Sequence, residues 1–357
     1  MISISLCMIV KNEEAVLERV LDSAKGIYDE LIIVDTGSKD KTKRIAKQYT
    51  NKVFDFKWVD DFSKARNFAF SKATKQYIMW LDADDVVLEE DRKKILQLKE
   101  KLMNEYDIVT MKYNVGFDAN GNTTFYSTRE RLFKREKNYQ WLDPVHEYIP
   151  LADNVLQMDI AITHKSAKKE HTNRNLKIYE KILKKDGDLS PRGKYYYARE
   201  LKDHSRWKDS IIWFNKFLDE GQGWKEDNIA SCYNLAICYK VLGEFDKEFE
   251  ALCRSFIYDA PRAEICCLIG YHFKSKSDWV TAASWFETAL NLPKNNSFGF
   301  VLKDYQTFIP AIELAVCYDN LQQFEKASSF NEMAGKEKPD SKEYLQNKNY
   351  FATKCIR

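Results

Sequence analysis

No stretch of this 357-residue sequence approaches the roughly 20 consecutive apolar residues that a membrane-spanning helix needs. An excess of one charge is missing too. Lys and Arg number 56 against 54 Asp and Glu, a net charge of +2, so no global field draws the chain onto nucleic acid or an anionic membrane. A basic region ahead of the first apolar run is absent: ISISLCMIV leads straight into Lys11-Asn12-Glu13-Glu14, which fits a buried strand better than a signal peptide. Paired cysteines at zinc-finger spacing are lacking among the eight, since the adjacent pair Cys266-Cys267 has no counterpart. Cys7 sits in the first apolar run, and Cys232, Cys238, Cys253, Cys266, Cys267 and Cys317 sit in helical patterns. They read as reduced thiols of a cytoplasmic protein.

What is present divides in two, as expected at a length where one core stops growing. Up to about residue 113, short apolar runs alternate with helix-period segments, the pattern of βαβ units around a mostly parallel sheet. The runs are Ser3 to Val10, Glu30 to Val34, Lys52 to Phe56, Tyr77 to Leu81 and Asp107 to Tyr113. A helix is expected from Asn12 to Lys25, with Asn12 as its cap, Val16, Leu17, Val20, Leu21 and Ala24 as its apolar face, and Gly26 as its stop. From about residue 185 the pattern changes to pairs of amphipathic helices. Four segments superimpose, Tyr195 to Leu218, Ile229 to Ile257, Ile269 to Leu290 and Phe308 to Ala334, each carrying a bulky aromatic: Trp207, Phe245, Trp279 and Phe324. The middle spacing is 34 residues, the tetratricopeptide period, whereas the flanking ones, 38 and 45, are irregular. The repeats are degenerate, and a generic helical bundle stays open. The expected domains are 1–185, α/β, and 186–357, all-α helical repeat.

Ligands of such sheets bind beyond the carboxyl ends of the strands, and these ends are unusually polar. Trp80-Leu81-Asp82-Ala83-Asp84-Asp85 closes an apolar strand with three carboxylates, which repel unless a cation sits among them. Hard oxygen ligands suit magnesium or manganese bridging to phosphates; a solvated acidic turn is the plain alternative. Val34-Asp35-Thr36-Gly37-Ser38 ends another strand, where Asp35 can accept a base or ribose hydrogen bond, or simply build a tight turn.

Four ordered motifs sharpen this reading: Met8-Ile-Val-Lys-Asn-Glu-Glu14, Val34-Asp35-Thr-Gly-Ser-x-Asp40, Asp61-Phe-Ser-x-Ala-Arg66-Asn67 and Leu81-Asp82-Ala-Asp84. Together they resemble family 2 glycosyltransferases of the GT-A fold. Arg131-Leu-Phe133, Val145-His146-Glu147 and Ile162-Thr-His164 resemble later motifs of the branch that includes sublancin-type peptide glycosyltransferases. The resemblance implies that Val10 and Asp35 hold uracil, with Glu13 near the ribose. It places Asp82 on ribose or a metal water, and Asp84 and His164 on a divalent ion, Mn2+ or Mg2+. Arg66 suits the diphosphate through a bidentate fork, or else pairs with Asp61.

The family's usual aromatic-x-x-Glu-Asp base motif is absent. Its nearest counterpart is Trp141-Leu-Asp143-Pro-Val-His146-Glu147, which makes Glu147 the first candidate base and Asp143 the second. A cysteine acceptor, with an unperturbed pKa of about 8.5, needs less of a base, and His146 then suffices. The expected function is inverting, metal-dependent transfer from a UDP-sugar to a peptide or protein side chain (Ser, Thr or Cys) recruited partly by the repeats. A polysaccharide or lipid-linked glycan acceptor, and a non-catalytic repeat adaptor, are the alternatives; a homodimer stays open.

Overall fold

The computed structural model describes residues 1–102, 105–118, 120–150, 154–166, 173–293, 299 and 301–354. They fall into two compact units, Met1–Leu189 and Ser190–Arg357.

The first unit is built on strands β1 (Ile4–Val10), β2 (Glu30–Asp35), β3 (Val53–Asp55), β4 (Tyr77–Trp80), β5 (Asp85–Val86), β6 (Ile108–Phe117), β7 (Thr123–Lys134) and β8 (Val155–His164). They lie in the order β3-β2-β1-β4-β7-β6-β8-β5. The first four are mutually parallel; β7 is antiparallel to β4 and β6, β8 is parallel to β6, and β5 is antiparallel to β8. Both faces of the central strands are covered, so β1 reads as a continuous apolar run rather than an alternation. Leu6 and Met8 pack with Leu17, Val20 and Leu21 of α1 (Leu17–Ser23). Cys7 faces the other way, with Ile32, Ile78 and Trp80, against Ala69 and Phe70 of a helix that is named below.

The helix expected from Asn12 to Lys25 is shorter than its pattern. It spans only Leu17–Ser23, and Asn12 does not cap it. Asn12 sits instead in the left-handed region at φ 54°, a conformation that Asn tolerates better than most residues. The apolar face itself is as expected, with Val16, Leu17, Val20, Leu21 and Ala24 buried. Strands β7 and β8 escaped notice because they are half-buried and mix charged with apolar side chains, unlike the central runs.

The remaining helices of this unit are α2 (Thr42–Tyr49), α3 (Phe62–Ser71), α4 (Glu89–Lys101) and α5 (Arg174–Asp186). The second unit contains α6 (Pro191–Asp203), α7 (Trp207–Glu220), α8 (Lys225–Val241), α9 (Phe245–Arg254), α10 (Ala263–Ser275), α11 (Trp279–Asn291), α12 (Phe308–Asn320), α13 (Phe324–Glu337) and α14 (Lys342–Lys354). Its hairpins α6–α7, α8–α9, α10–α11 and α12–α13 turn in one identical way. Ser205, Gly243, Ser277 and Gln322 take left-handed φ of 58°, 75°, 59° and 59°. The next N–H in each case, on Arg206, Glu244, Asp278 and Gln323, donates to the carbonyl five residues earlier, on Leu201, Tyr239, Phe273 and Tyr318. This is the Schellman closure. The aromatic that follows, Trp207, Phe245, Trp279 or Phe324, opens the second helix. Three of the four turn residues are not glycine, so a geometrically regular repeat is nearly invisible in sequence. Seven cysteines are free and six of them are buried, while Cys355 lies outside the described residues.

Candidate active site

The polar residues that end β1 and β2 bind each other. The Asn12 N–H donates to Ser38 Oγ at 2.9 Å, and the Lys39 N–H returns to Asn12 Oδ1 at 2.8 Å. The Glu13 N–H donates to Thr42 Oγ1, the Glu14 N–H to Asp40 Oδ2 and the Lys41 N–H to Glu14 Oε2. Asp35, almost fully buried, accepts from the N–H groups of Gly37 and Ser38 through Oδ1, which shapes the turn at Gly37. Its Oδ2 has no hydrogen-bond partner among the described residues.

Helix α3 places the cation. Asp61 caps it by accepting from the Lys64 N–H, and Ser63 and Lys64 hold the same carboxylate, so Arg66 does not pair with Asp61. Arg66 is buried: its Nε donates to Glu147 Oε1 at 2.6 Å and its Nη2 to Asp82 Oδ1 at 2.8 Å. The guanidinium lies 4.5 Å from the Trp80 ring centroid and 5.0 Å from that of Trp141. The next residue, Asn67, clamps the backbone of Trp141 at both N–H and carbonyl. Phe62 N–H adds a bond to the Pro144 carbonyl. Leu142 and Tyr148 then close the loop between them, and Asp143 and His146 inside it hold left-handed φ of 63° and 53°. Residues off the common wells persist where their surroundings over-determine them, and such places cluster at functional sites.

The acidic end of β4 turns on itself, with the Asp82 N–H donating to Asp85 Oδ2 and the Asp85 N–H to the Asp82 carbonyl. Pairing of β5 with β8 sets Asp85 opposite His164. Arg19 of α1 ties the Asp84 and Lys165 carbonyls together. His164 Nδ1 consequently lies 3.6 Å from Asp84 Oδ1 and 3.9 Å from Asp85 Oδ1. Burial, reinforced by the charges of Asp82 and Asp85, raises the Asp84 carboxyl. Burial would also raise Asp82, but Arg66 holds it below the ordinary value. The neighbouring Asp85 carboxylate, first, and the charge of Asp84 raise His164 against the effect of burial.

A cavity of about 340 Å³ gathers these groups. Of the expected residues, Val10, Glu13, Arg66, Asp82, Asp84, His146, Glu147 and His164 line it, whereas Asp35 and Asp143 do not. Asp143 is therefore geometrically the weaker candidate base. Phe62, from the Asp61 motif, also lines the cavity, as do Trp58, Arg174 and Asn175, which were not singled out in the sequence. Trp58 and Phe62 pack edge to face at 4.8 Å, and Arg174 lies over Phe62; the aromatic-rich stretch before Arg66 was their one available signal.

Three groups that could ligate an ion, Asp84, Asp85 and His164, bring their donor atoms within 4.8 Å of one another. Asp82, expected in that set, is drawn to Arg66 instead. Asp85 Oδ1, fully buried, has no hydrogen-bond partner among the described residues, and it faces His164. Two carboxylates, an imidazole and an unspent oxygen fit a hard divalent ion.

Residues 5–152 match the family described as Glycosyl transferase family 2. The chain carries a domain of that family, in a sheet of the GT-A class followed by helical repeats. A TPR repeat-containing protein of Synechococcus elongatus is 37% identical over 150 residues, 42% of this chain and 36% of the relative. The SPbeta prophage-derived glycosyltransferase SunS of Bacillus subtilis is 25% identical over 230 residues, 61% of this chain and 53% of the relative. The minor teichoic acid biosynthesis protein GgaB of the same organism is 28% identical over 200 residues, 53% and 21% respectively. The chain thus spans about half or less of the length of each of these relatives.

Proposed function

We propose that this chain is an inverting glycosyltransferase that uses a UDP-sugar, a divalent ion and a peptide or protein acceptor. The observation that carries the reading is one cavity in which Arg66 joins Asp82 to Glu147, beside Asp84 and His164. Val10 and Glu13 line the donor side, and Asp35 shapes the turn behind it. Asp84, Asp85 and His164 would hold Mn2+ or Mg2+, which supplies charge stabilisation to a departing diphosphate worth several kcal/mol. Glu147 engages Arg66 through Oε1, which leaves Oε2 to take the proton of an acceptor hydroxyl or thiol. The acceptor oxygen or sulfur then bonds to the anomeric carbon as the bond to the diphosphate oxygen breaks, and UDP leaves with that electron pair. His146 remains the lesser candidate for this proton. An assembled site of this kind speaks against the non-catalytic adaptor.

A peptide acceptor is supported by the helical hairpins, since stacked repeats present extended binding surfaces. The likeness to GgaB favours a second reading, an acceptor on a cell-surface polymer. No helix among the described residues is long and apolar enough to cross a membrane. The free thiols support a cytoplasmic location. A homodimer is not part of this proposal. The test is hydrolysis of UDP-sugars by the full chain with and without Mn2+, followed by transfer to peptide and to polyol-phosphate acceptors. Metal-dependent release of UDP with transfer to peptide supports the proposal; transfer to the polymer alone selects the second reading, and no release with any UDP-sugar refutes both.

A further inference from the structure

Arg131 opens one of the sequence motifs, yet it does not line the cavity and has no part in the chemistry above. It is fully buried. Its Nη1 donates to Asp85 Oδ2 at 3.2 Å and to the Trp80 carbonyl at 3.3 Å, while Nε and Nη2 find no hydrogen-bond partner among the described residues. The guanidinium lies 4.0 Å from the Trp80 ring centroid and 4.6 Å from that of Tyr113. Tyr113 in turn meets His164 edge to face, with its hydroxyl 3.0 Å from Nδ1.

A buried ion pair of this sort is a poor device for stability alone. Taking both charges out of water costs several kcal/mol per ion, and apolar residues of similar volume often do as well or better. A guanidinium with two unsatisfied nitrogens is costlier still. Its location suggests what it supplies instead. Three carboxylates crowd residues 82–85; Arg66 takes up Asp82, and Arg131 takes up one oxygen of Asp85. The other oxygen, Oδ1, then turns toward His164 and Asp84. The Tyr113 hydroxyl holds the His164 ring at Nδ1 and leaves Nε2 for an ion.

We infer that Arg131 and Tyr113 are positioning residues for the ion-holding group, Arg131 orienting Asp85 and Tyr113 orienting His164. This rests on Asp84, Asp85 and His164 being that group. Partners of this kind behind metal ligands typically change metal affinity by about 10- to 100-fold when they are removed. Neither side chain would touch the nucleotide, so binding of UDP without metal should not depend on them.

The full-length protein would be titrated with Mn2+ in the presence of UDP, with free Mn2+ read by electron paramagnetic resonance, and separately with UDP alone. Tyr113→Phe keeps the ring and loses only the hydroxyl; Arg131→Lys keeps the charge and loses the planar fork. Both should weaken Mn2+ binding by about 10- to 100-fold while metal-free UDP binding stays unchanged. If Arg131→Lys fails to fold, Tyr113→Phe decides alone. Unaltered Mn2+ affinity in the folded variants overturns the inference and leaves the proposed ion site standing. Loss of both binding events together also overturns it, by showing a role in folding only. A wild-type protein that takes up no Mn2+ with UDP would remove the ion site itself.

Discussion

The loops after β1 and β2 and the loop after β4 crowd similar polar side chains at the same end of one sheet, but they use them differently. Asn12, Glu14, Ser38, Asp40 and Thr42 exchange hydrogen bonds and knit two strand ends together, with Asp35 Oδ2 behind them left without a partner among the described residues. Asp84, Asp85 and His164 instead bring donor atoms close together, one of which, Asp85 Oδ1, has no hydrogen-bond partner among the described residues, and Asp84 is raised by burial and by its neighbours' charge. A polar cluster that satisfies itself contributes rigidity; one that stays unsatisfied while buried keeps a free-energy cost that a ligand can relieve. Only the second carries the proposed chemistry. The first shapes the wall on which Val10 and Glu13 stand.

Substitutions in the cavity and at the self-satisfied cluster should separate these roles. Glu147→Gln keeps shape and its contact to Arg66 but loses basicity, so kcat should fall by about 10²- to 10⁴-fold with UDP-sugar affinity nearly unchanged. Steady-state kinetics would decide: a raised KM with preserved kcat would make Glu147 a binding residue and return attention to His146. At the self-satisfied cluster the effect should be smaller and of another kind. Asn12→Gly retains the left-handed backbone but removes the acceptor for the Lys39 N–H. It should cost about 1 kcal/mol of stability, read as a lower denaturant midpoint, with kcat altered little. A collapse of activity without loss of stability would mean that Asn12 belongs to the chemistry.

The same contrast explains how much of the protein was legible in its sequence. Apolar runs located the central strands, and the aromatics Trp207, Phe245, Trp279 and Phe324 located the second helix of each hairpin to the residue. The motif order located Arg66, Asp82, Glu147 and His164, which the fold brings into one cavity. Asn12 misled because Asn favours both helix caps and the left-handed region, and only the partner loop at Ser38 and Lys39 decides between them. The motif assigns Asp84 to the ion and Asp85 to nothing, since neither the pairing of β5 with β8 nor the burial of Arg131 is local in sequence. Pattern also could not show that Asp82 would pair with a helix residue 16 positions earlier, which draws it toward Arg66 and away from His164.

If the Asp84, Asp85 and His164 cluster is an ion site serving a departing diphosphate, Asp84→Ala removes one of its ligands. The side chain is partly exposed and carries no buried partner charge like that of Asp85, so the fold should survive, as circular dichroism and thermal unfolding would show. With Mn2+ and a UDP-sugar hydrolysed by the wild type, turnover of the variant should fall by about 10³-fold, the equivalent of about 4 kcal/mol of lost charge stabilisation. A folded Asp84→Ala protein that keeps near-normal Mn2+-dependent turnover would contradict the ion site.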